Sequence, residues 1–149
     1  MLYVAAYDFA TPEYDEAVRL RHEVLRAPLG RHIADDPLED EFEQLHFGLY
    51  DSGRLLGTAT LRADEAGAYQ MRQVAVLAKA RGQAVGLALV RHCEAFAKTR
   101  DAVALFCHAR EAARGFYERC GWEAYGVPYE EVGLPHVNMR SPVIGRSAN

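Results

Sequence analysis

The chain has 149 residues, 50% of them hydrophobic and 26% charged, with a formal net charge of −4 at pH 7. That is the composition of a soluble globular domain, and its negative balance excludes a basic nucleic-acid footprint. No run of eighteen apolar residues and no signal-peptide pattern is present, and Cys93, Cys107 and Cys120 lack the even number or C-x-x-C spacing of a disulfide framework or zinc site. The expectation is a cytoplasmic protein that holds no metal and engages neither membrane nor nucleic acid.

No repeat or linker interrupts the sequence, so residues 1–149 read as one domain with a loose tail over 145–149. Residues 3–7 form a short strand. Thr11-Pro12 supplies a helix N-cap followed by proline at the first helical position. Ala17, Leu20 and Val24, with Val18 and Leu25, then recur at helical spacing up to Pro28. Residues 29–43 are polar and form a loop or a short irregular helix. Asp35, Asp36, Glu39, Asp40, Glu41 and Glu43 there read first as a solvated loop, and second as a negative rim that could concentrate a cationic amine. Arg26 and Arg31 are weaker candidates for an acidic group on an acceptor.

Three strands follow over 45–50, 55–61 and 69–76. Asp51-Ser52-Gly53 and Asp64-Glu65-Ala66-Gly67 separate them, which predicts an antiparallel meander. Residues 84–98 predict an amphipathic helix with Val85, Ala88, Leu89, His92 and Phe96 on one face and Arg91, Glu94 and Lys98 on the other. Residues 103–107 are continuously apolar, as in a strand covered on both sides. A helix over 111–119 stops at Gly121, and strands over 125–130 and 136–140 complete the order β-α-(α)-β-β-β-α-β-α-β-β.

The stretch KARGQAVGLALVRH, residues 79–92, places Lys79, Arg81, Gly82 and Gly86 at the start of the 84–98 helix, just after a strand. A helix start leaves backbone N–H groups unpaired and its dipole favours anions. Glycine lets the backbone approach a ligand closely. Taken alone, the stretch is equally a glycine turn with solvated cations. The chain has no G-x-x-x-x-G-K-[ST] and no N-terminal G-x-G-x-x-G, which disfavours a nucleoside triphosphatase and a dinucleotide fold.

VAVLAKARGQAVGLALV resembles the [Q/R]-x-x-G-x-[G/A] motif of the GCN5-related N-acetyltransferase (GNAT) superfamily. Arg81 opens the motif, Gly86 closes it, and Ala84 stands at the usual middle glycine. Because alanine resists positive φ, Ala84 is expected to be helical. ARGFYERCGW (113–122) resembles the family's A-x-x-F-Y-x-x-x-G-F helix, with Trp122 for the final Phe, and Arg110 stands where many members have Asn. HARE (108–111) and EEVGLPHVNM (130–139) resemble the ElaA-like branch.

The resemblance implies an α/β (α+β) GNAT fold. This is a single mixed, mostly antiparallel twisted sheet of about seven strands, flanked by helices and split between the fourth and fifth strands. It implies an enzyme that moves an acetyl group from acetyl-CoA to an amine by direct attack on the thioester. The backbone of Val74 and Val76 would pair with the pantetheine arm. The N–H groups of Gly82, Gln83, Ala84, Val85, Gly86 and Leu87 would bind the pyrophosphate, with Arg81 beside them. A fourth-strand N–H would polarise the thioester carbonyl.

Tyr117 is the expected partner of the leaving thiolate. A thiol titrates near 8.5 and a phenol near 10, so hydrogen-bond stabilisation is the safer description than full proton transfer. An alkyl amine of pKa about 10.4 requires roughly 4 to 5 kcal/mol to become neutral at pH 7, which a base could offset. His108 and His136 are the candidate bases, with Glu131 a weaker one. The remaining histidines, His22, His32, His46 and His92, read as structural or exposed, and the cysteines as small core residues.

The acceptor is a small amine-bearing molecule or a peptide, and the resemblance allows a homodimer. The competing reading is a non-catalytic acyl-CoA-binding or regulatory module. A cysteine-dependent hydrolase is disfavoured, since no cysteine begins a helix beside an evident base.

Overall fold

The computed structural model describes residues 1–145; residues 146–149 of the expected tail lie outside the described residues. Its strands and main helices are β1 (Leu2–Tyr7), α1 (Pro12–Arg21), β2 (Leu45–Asp51), β3 (Arg54–Ala63), β4 (Ala68–Val76), α2 (Val85–Thr99), β5 (Ala104–Arg110), α3 (Arg114–Arg119), β6 (Glu123–Glu131) and β7 (Leu134–Arg140). The sheet has seven strands in the order β1-β2-β3-β4-β5-β7-β6. The β1–β2, β2–β3, β5–β7 and β6–β7 ladders are antiparallel. The parallel β4–β5 ladder covers only Ala68–Gln70 against Ala104–Phe106 and then stops. This is the mixed sheet, flanked by helices and split between its fourth and fifth strands, that the motifs imply.

Contacts divide the chain into two units: Met1–Arg62 with Gln73–His92, and Ala63–Arg72 with the residues from Cys93 on. In the first, Thr11 caps α1 by accepting the Tyr14 N–H at 3.2 Å, and Pro12 begins the helix. Helical spacing continues to Pro28, but the α-helix ends at Arg21. A π turn (His22–Arg26) and a 3-10 turn (Ala27–Leu29) replace its last turns. Pro28 has no N–H to give and disfavours a helical residue before it, so the ladder cannot run through. Gly30, at φ 70°, closes the segment.

Tyr14, Ala17 and Leu20 of α1 form a buried cluster with Tyr7, Tyr50, Leu55 and Ala75. A register shift in the β2–β3 ladder sets Tyr50 opposite Leu55 but Leu49 opposite Gly57. That shift turns Gly57 to the face where Val85 and Leu89 pack. A Cβ on Gly57 would sit 3.0 Å from both side chains, so glycine lets α2 approach β3. Leu89 and Val90 are fully buried, and each such side chain contributes roughly 1.5–3 kcal/mol.

The acidic segment is not simply solvated. It forms 3-10 turns over Ile33–Asp35 and Leu38–Glu43, and Glu41 turns inward to accept from Arg21 at 2.8 and 2.9 Å. Arg26 is likewise occupied, reaching Asp36 at 2.7 Å.

In the second unit β5 is covered more on one face than the other. Leu105, Cys107 and Ala109 are buried, while Phe106 and Arg110 are half-buried and His108 is exposed. The expected two-sided strand is therefore a one-sided one in its exposed half. Glu94, expected on the solvent face of α2, is buried instead. Its Oε2 accepts the Trp122 indole N–H at 2.9 Å and the Ser141 hydroxyl at 2.8 Å. A tryptophan in place of phenylalanine brings a donor that needs a partner when buried, and Glu94 supplies it. Cys93, Cys107 and Cys120 are free and buried. Among the described residues, no helix is long and apolar enough to cross a membrane.

Candidate active site

In the first unit β4 leads into a 3-10 turn (Ala78–Ala80), the exposed turn Arg81–Ala84 and then α2. Gly82 has φ 86°, and a Cβ there would meet nothing within 4 Å, so its requirement is conformational. Ala84 is not helical, contrary to the expectation: its φ is 61°. Folding imposes on alanine the left-handed backbone that a glycine at this motif position would adopt freely, at a cost of about 1–2 kcal/mol. The reason is downstream. The Ala84 carbonyl accepts the Ala88 N–H at 3.0 Å, so Ala84 sits at the N-cap of α2 with its backbone outside the helix.

The Gln83 N–H is bonded to the Ala80 carbonyl at 3.3 Å, whereas those of Gly82, Ala84, Val85, Gly86 and Leu87 have no acceptor among the described residues. Arg81 and Lys79 are exposed beside them, and the first turn of α2 carries no acidic residue. The result is a fan of donors with a positive end field and flanking cations, a fit for a diphosphate. Val74 and Val76 lie half-buried on β4, beyond Gln70, where the β5 ladder has ended. Gln73 just before them has φ 55°, a local distortion that no pattern in the sequence signals.

The second unit carries the other expected residues on two opposite faces of β5. On the Cys107 face, Tyr117 of α3 is buried, and its hydroxyl is a hydrogen-bonding partner of the Cys107 thiol. Burial pushes the phenol well above its usual range, and Cys107 adds to the rise. Burial likewise pushes the Cys107 thiol up to about 12, so it stays protonated. On the other face, His108 Nδ1 lies 3.0 Å from Glu131 Oε1, and His136 Nε2 lies 4.0 Å from Glu131 Oε2. His136 Nδ1 is 2.9 Å from the Leu134 carbonyl. Tyr129 stacks on His136 at 5.9 Å, meets His108 edge-on at 6.0 Å, and donates to Asn138 at 2.7 Å. Burial, then Glu131, pushes the Tyr129 phenol up to about 12.

Two backbone features assemble this face. Between Tyr125 and Tyr129 a bulge leaves Gly126, Val127 and Pro128 opposite Val137 alone, which brings Tyr129 level with His136. The β6–β7 hairpin then turns in two residues, Val132 and Gly133, both with positive φ (49° and 77°). His108 and His136 are thus brought together, and Glu131 joins them as the link. Tyr117 is not on their face. Tyr129 and Asn138 were not singled out in the sequence; the bulge that delivers Tyr129 shows only as a Gly and a Pro inside a strand pattern. Among the described residues no group of His, Cys, Asp or Glu is arranged to hold a metal ion.

Comparison with known proteins now decides the family. The profile of the acetyltransferase (GNAT) domain matches residues 12–142. The chain belongs to the GNAT acetyltransferase family. Within that family it is 28% identical, over 133 residues, to the uncharacterized N-acetyltransferase YitI of Bacillus subtilis (strain 168), spanning 83% of this chain and 87% of that protein. Two solved GNAT structures share the fold. Escherichia coli ElaA superposes with a TM-score of 0.79 at 19% identity, covering 94% of this chain and 99% of its own. An aminoglycoside 6'-N-acetyltransferase complexed with coenzyme A gives 0.79 at 15% identity, covering 97% and 99%. At those identities the likeness is one of fold. This GNAT enzyme departs from the family motif at Ala84, whose backbone takes a left-handed conformation that glycine adopts freely.

Proposed function

We propose that the protein transfers an acetyl group from acetyl-CoA to a primary amine by direct attack, without a covalent enzyme intermediate. The observation that carries this reading is the set of N–H groups of Gly82 and of Ala84 to Leu87, which have no acceptor among the described residues, flanked by Arg81 and Lys79. These donors would bind the coenzyme's diphosphate, with Arg81 and Lys79 neutralising its charge. The half-buried backbone of Val74 and Val76 would pair with the pantetheine amides, and a β4 N–H would stabilise the oxyanion that forms on the thioester carbonyl. Coenzyme A bound to a neighbour of the same fold supports this choice of donor.

The amine nitrogen forms the new C–N bond as the C–S bond breaks. The amine's proton passes to a base, for which His108 and His136 are the candidates, and the thiolate leaves as free coenzyme A. Tyr117 stabilises the departing sulfur through its hydroxyl. A phenol held well above its usual pKa stays protonated, so it can donate a hydrogen bond but gives up its proton reluctantly, and stabilisation fits better than full transfer. The acceptor is an amine-bearing small molecule or peptide.

The test pairs calorimetric titration with acetyl-CoA and a thiol-release assay using a primary alkylamine, an amino-sugar and a lysine-containing peptide. Saturable binding plus amine-dependent thiol release is expected. Binding with no thiol release from any acceptor would leave a non-catalytic acyl-CoA-binding module, and no binding would remove the diphosphate site.

A further inference from the structure

The geometry points to His108 as the group that takes the acceptor amine's proton, on Nε2, with Glu131 as the positioning residue that fixes its ring, and it removes His136 from that role. This rests on the acetyl-transfer reading above. Glu131 Oε1 stands 3.0 Å from His108 Nδ1. An ionised carboxylate only accepts hydrogen bonds, so a bond at that distance places the proton on Nδ1. The remaining nitrogen, Nε2, then carries a lone pair. The His108 side chain is 35% exposed, so a substrate amine can reach it.

His136 is tied differently. Its Nδ1 is 2.9 Å from the Leu134 carbonyl, an acceptor, so Nδ1 carries the proton there too. Its Nε2 faces Glu131 Oε2 at 4.0 Å, too long for a hydrogen bond, and its side chain is only 5% exposed. No amine nitrogen can be seated at that atom. His136, on which Tyr129 stacks, instead flanks the Glu131 carboxylate. The Val132–Gly133 turn holds the other side: Glu131 enters it and Leu134, whose carbonyl ties His136, leaves it. Val132 is a β-branched residue at φ 49°, a strained choice that the short turn enforces.

The chemistry divides across β5. Alternation along the strand sets His108 on the face opposite Cys107, and Tyr117 meets Cys107. The C–N bond that forms and the C–S bond that breaks share one carbon, so that carbon is assigned to the edge of β5 past Phe106, where the β4 ladder has stopped and both faces are within reach. As the C–N bond forms, the amine proton moves to His108 Nε2. The imidazolium that results is stabilised by Glu131 through the Nδ1–H bond and returns its proton to water after the amide departs. The C–S bond breaks at the same carbon, and coenzyme A leaves as the thiolate.

The test uses the full-length protein. Long-range proton–nitrogen NMR reports the His108 tautomer without any substrate; the proposal expects Nδ1–H in the wild type and a tautomer mixture in Glu131→Ala. In the thiol-release assay His108→Ala should lower kcat by roughly 10²–10⁴-fold, leave the acetyl-CoA Kd unchanged, and recover in part with added imidazole. Glu131→Ala should lower kcat without raising KM for acetyl-CoA, and Glu131→Gln, which keeps an acceptor for Nδ1–H, should fall between it and the wild type. An Nε2–H tautomer in the wild type overturns the assignment, as does a His108→Ala enzyme within twofold of an active wild type. A wild type that releases no thiol sinks the acetyl-transfer reading itself, which the tautomer measurement does not touch.

Discussion

The two units each hold a Glu between histidine and tyrosine side chains, and they use it in opposite ways. Glu41 is buried, with the Arg21 guanidinium at 2.8 and 2.9 Å, the Tyr14 hydroxyl at 2.8 Å, and its own carbonyl bonded to His46 Nε2 at 2.9 Å. Glu131 is 44% exposed, holds one His108 nitrogen at 3.0 Å, and leaves the rest of that ring free. The first arrangement is buried, its only unpartnered nitrogens, Arg21 Nε and His46 Nδ1, shut away from solvent, and it fastens the acidic segment to α1. The second leaves one ring nitrogen, His108 Nε2, open to solvent. The residue types are nearly the same; what separates a brace from a site is whether any group is left unfilled where a ligand can reach it.

The sharpest way to break the contrast is to remove the carboxylates in turn. Glu41→Ala strands a buried guanidinium and should cost about 3–5 kcal/mol in chemical denaturation. The Arg21→Met, Glu41→Leu pair should recover most of that loss, because neither charge then needs a partner. Glu131→Ala should change stability by under about 0.5 kcal/mol, as expected of a half-exposed side chain. Its effect belongs in turnover. Equal destabilisation by the two single variants would erase the distinction.

Tyr117→Phe sharpens the division within the second unit. It removes one hydrogen bond to a developing thiolate, about 1.5–3 kcal/mol, or roughly a 10- to 100-fold loss in kcat, with coenzyme affinity kept. Unchanged turnover would return Tyr117 to a purely packing role beside Cys107.

Acid should undo the closed cluster first. Burial holds His46 below its ordinary 6.5. The unfolded chain therefore binds its proton first as pH falls, so His46's contribution is complete above about 6.5 and is lost below it. Glu41 is also held low: burial alone would raise it, but Arg21 and Tyr14 outweigh that. Its contribution is present above its ordinary 4.5 and disappears below. Denaturation midpoints at pH 8, 6, 5 and 4 should fall in two stages, and His46→Gln should flatten the upper one. A single stage confined below pH 4.5 would count against the His46 assignment.

The smallest expected effect lies at the turn into α2. Ala84→Gly should stabilise the protein by up to about 1 kcal/mol, since glycine takes φ 61° without strain. It should not weaken acetyl-CoA binding in the same calorimetric titration. Destabilisation would mean that the alanine methyl makes a contact worth more than the strain it carries.

Much of the fold was legible because its signals are local. Thr11-Pro12 caps a helix, Asp51-Ser52-Gly53 turns a hairpin, and the period of the 84–98 segment is helical wherever it lands. Two misreadings came where a distant partner decided the matter, and a third where a junction between elements did. Glu94 looks like a solvent residue until Trp122 and Ser141 arrive from later in the chain. Glu41 looks like one of six acids in a loop until Arg21 reaches it from α1. Ala84 looks helical by composition, yet its backbone is set by where β4 ends and α2 must begin.

By itself the amino-acid order determined the sequence of elements, the GNAT family and the place of the glycine turn that opens α2. Each of these follows from backbone preferences and periodicities that act over a few residues. Only the tertiary structure decided which histidine keeps an open nitrogen, which glutamate is a brace, and that His108 and Tyr117 take opposite faces of β5. Those depend on strand register and on a three-residue bulge in β6, which bring together atoms far apart along the chain.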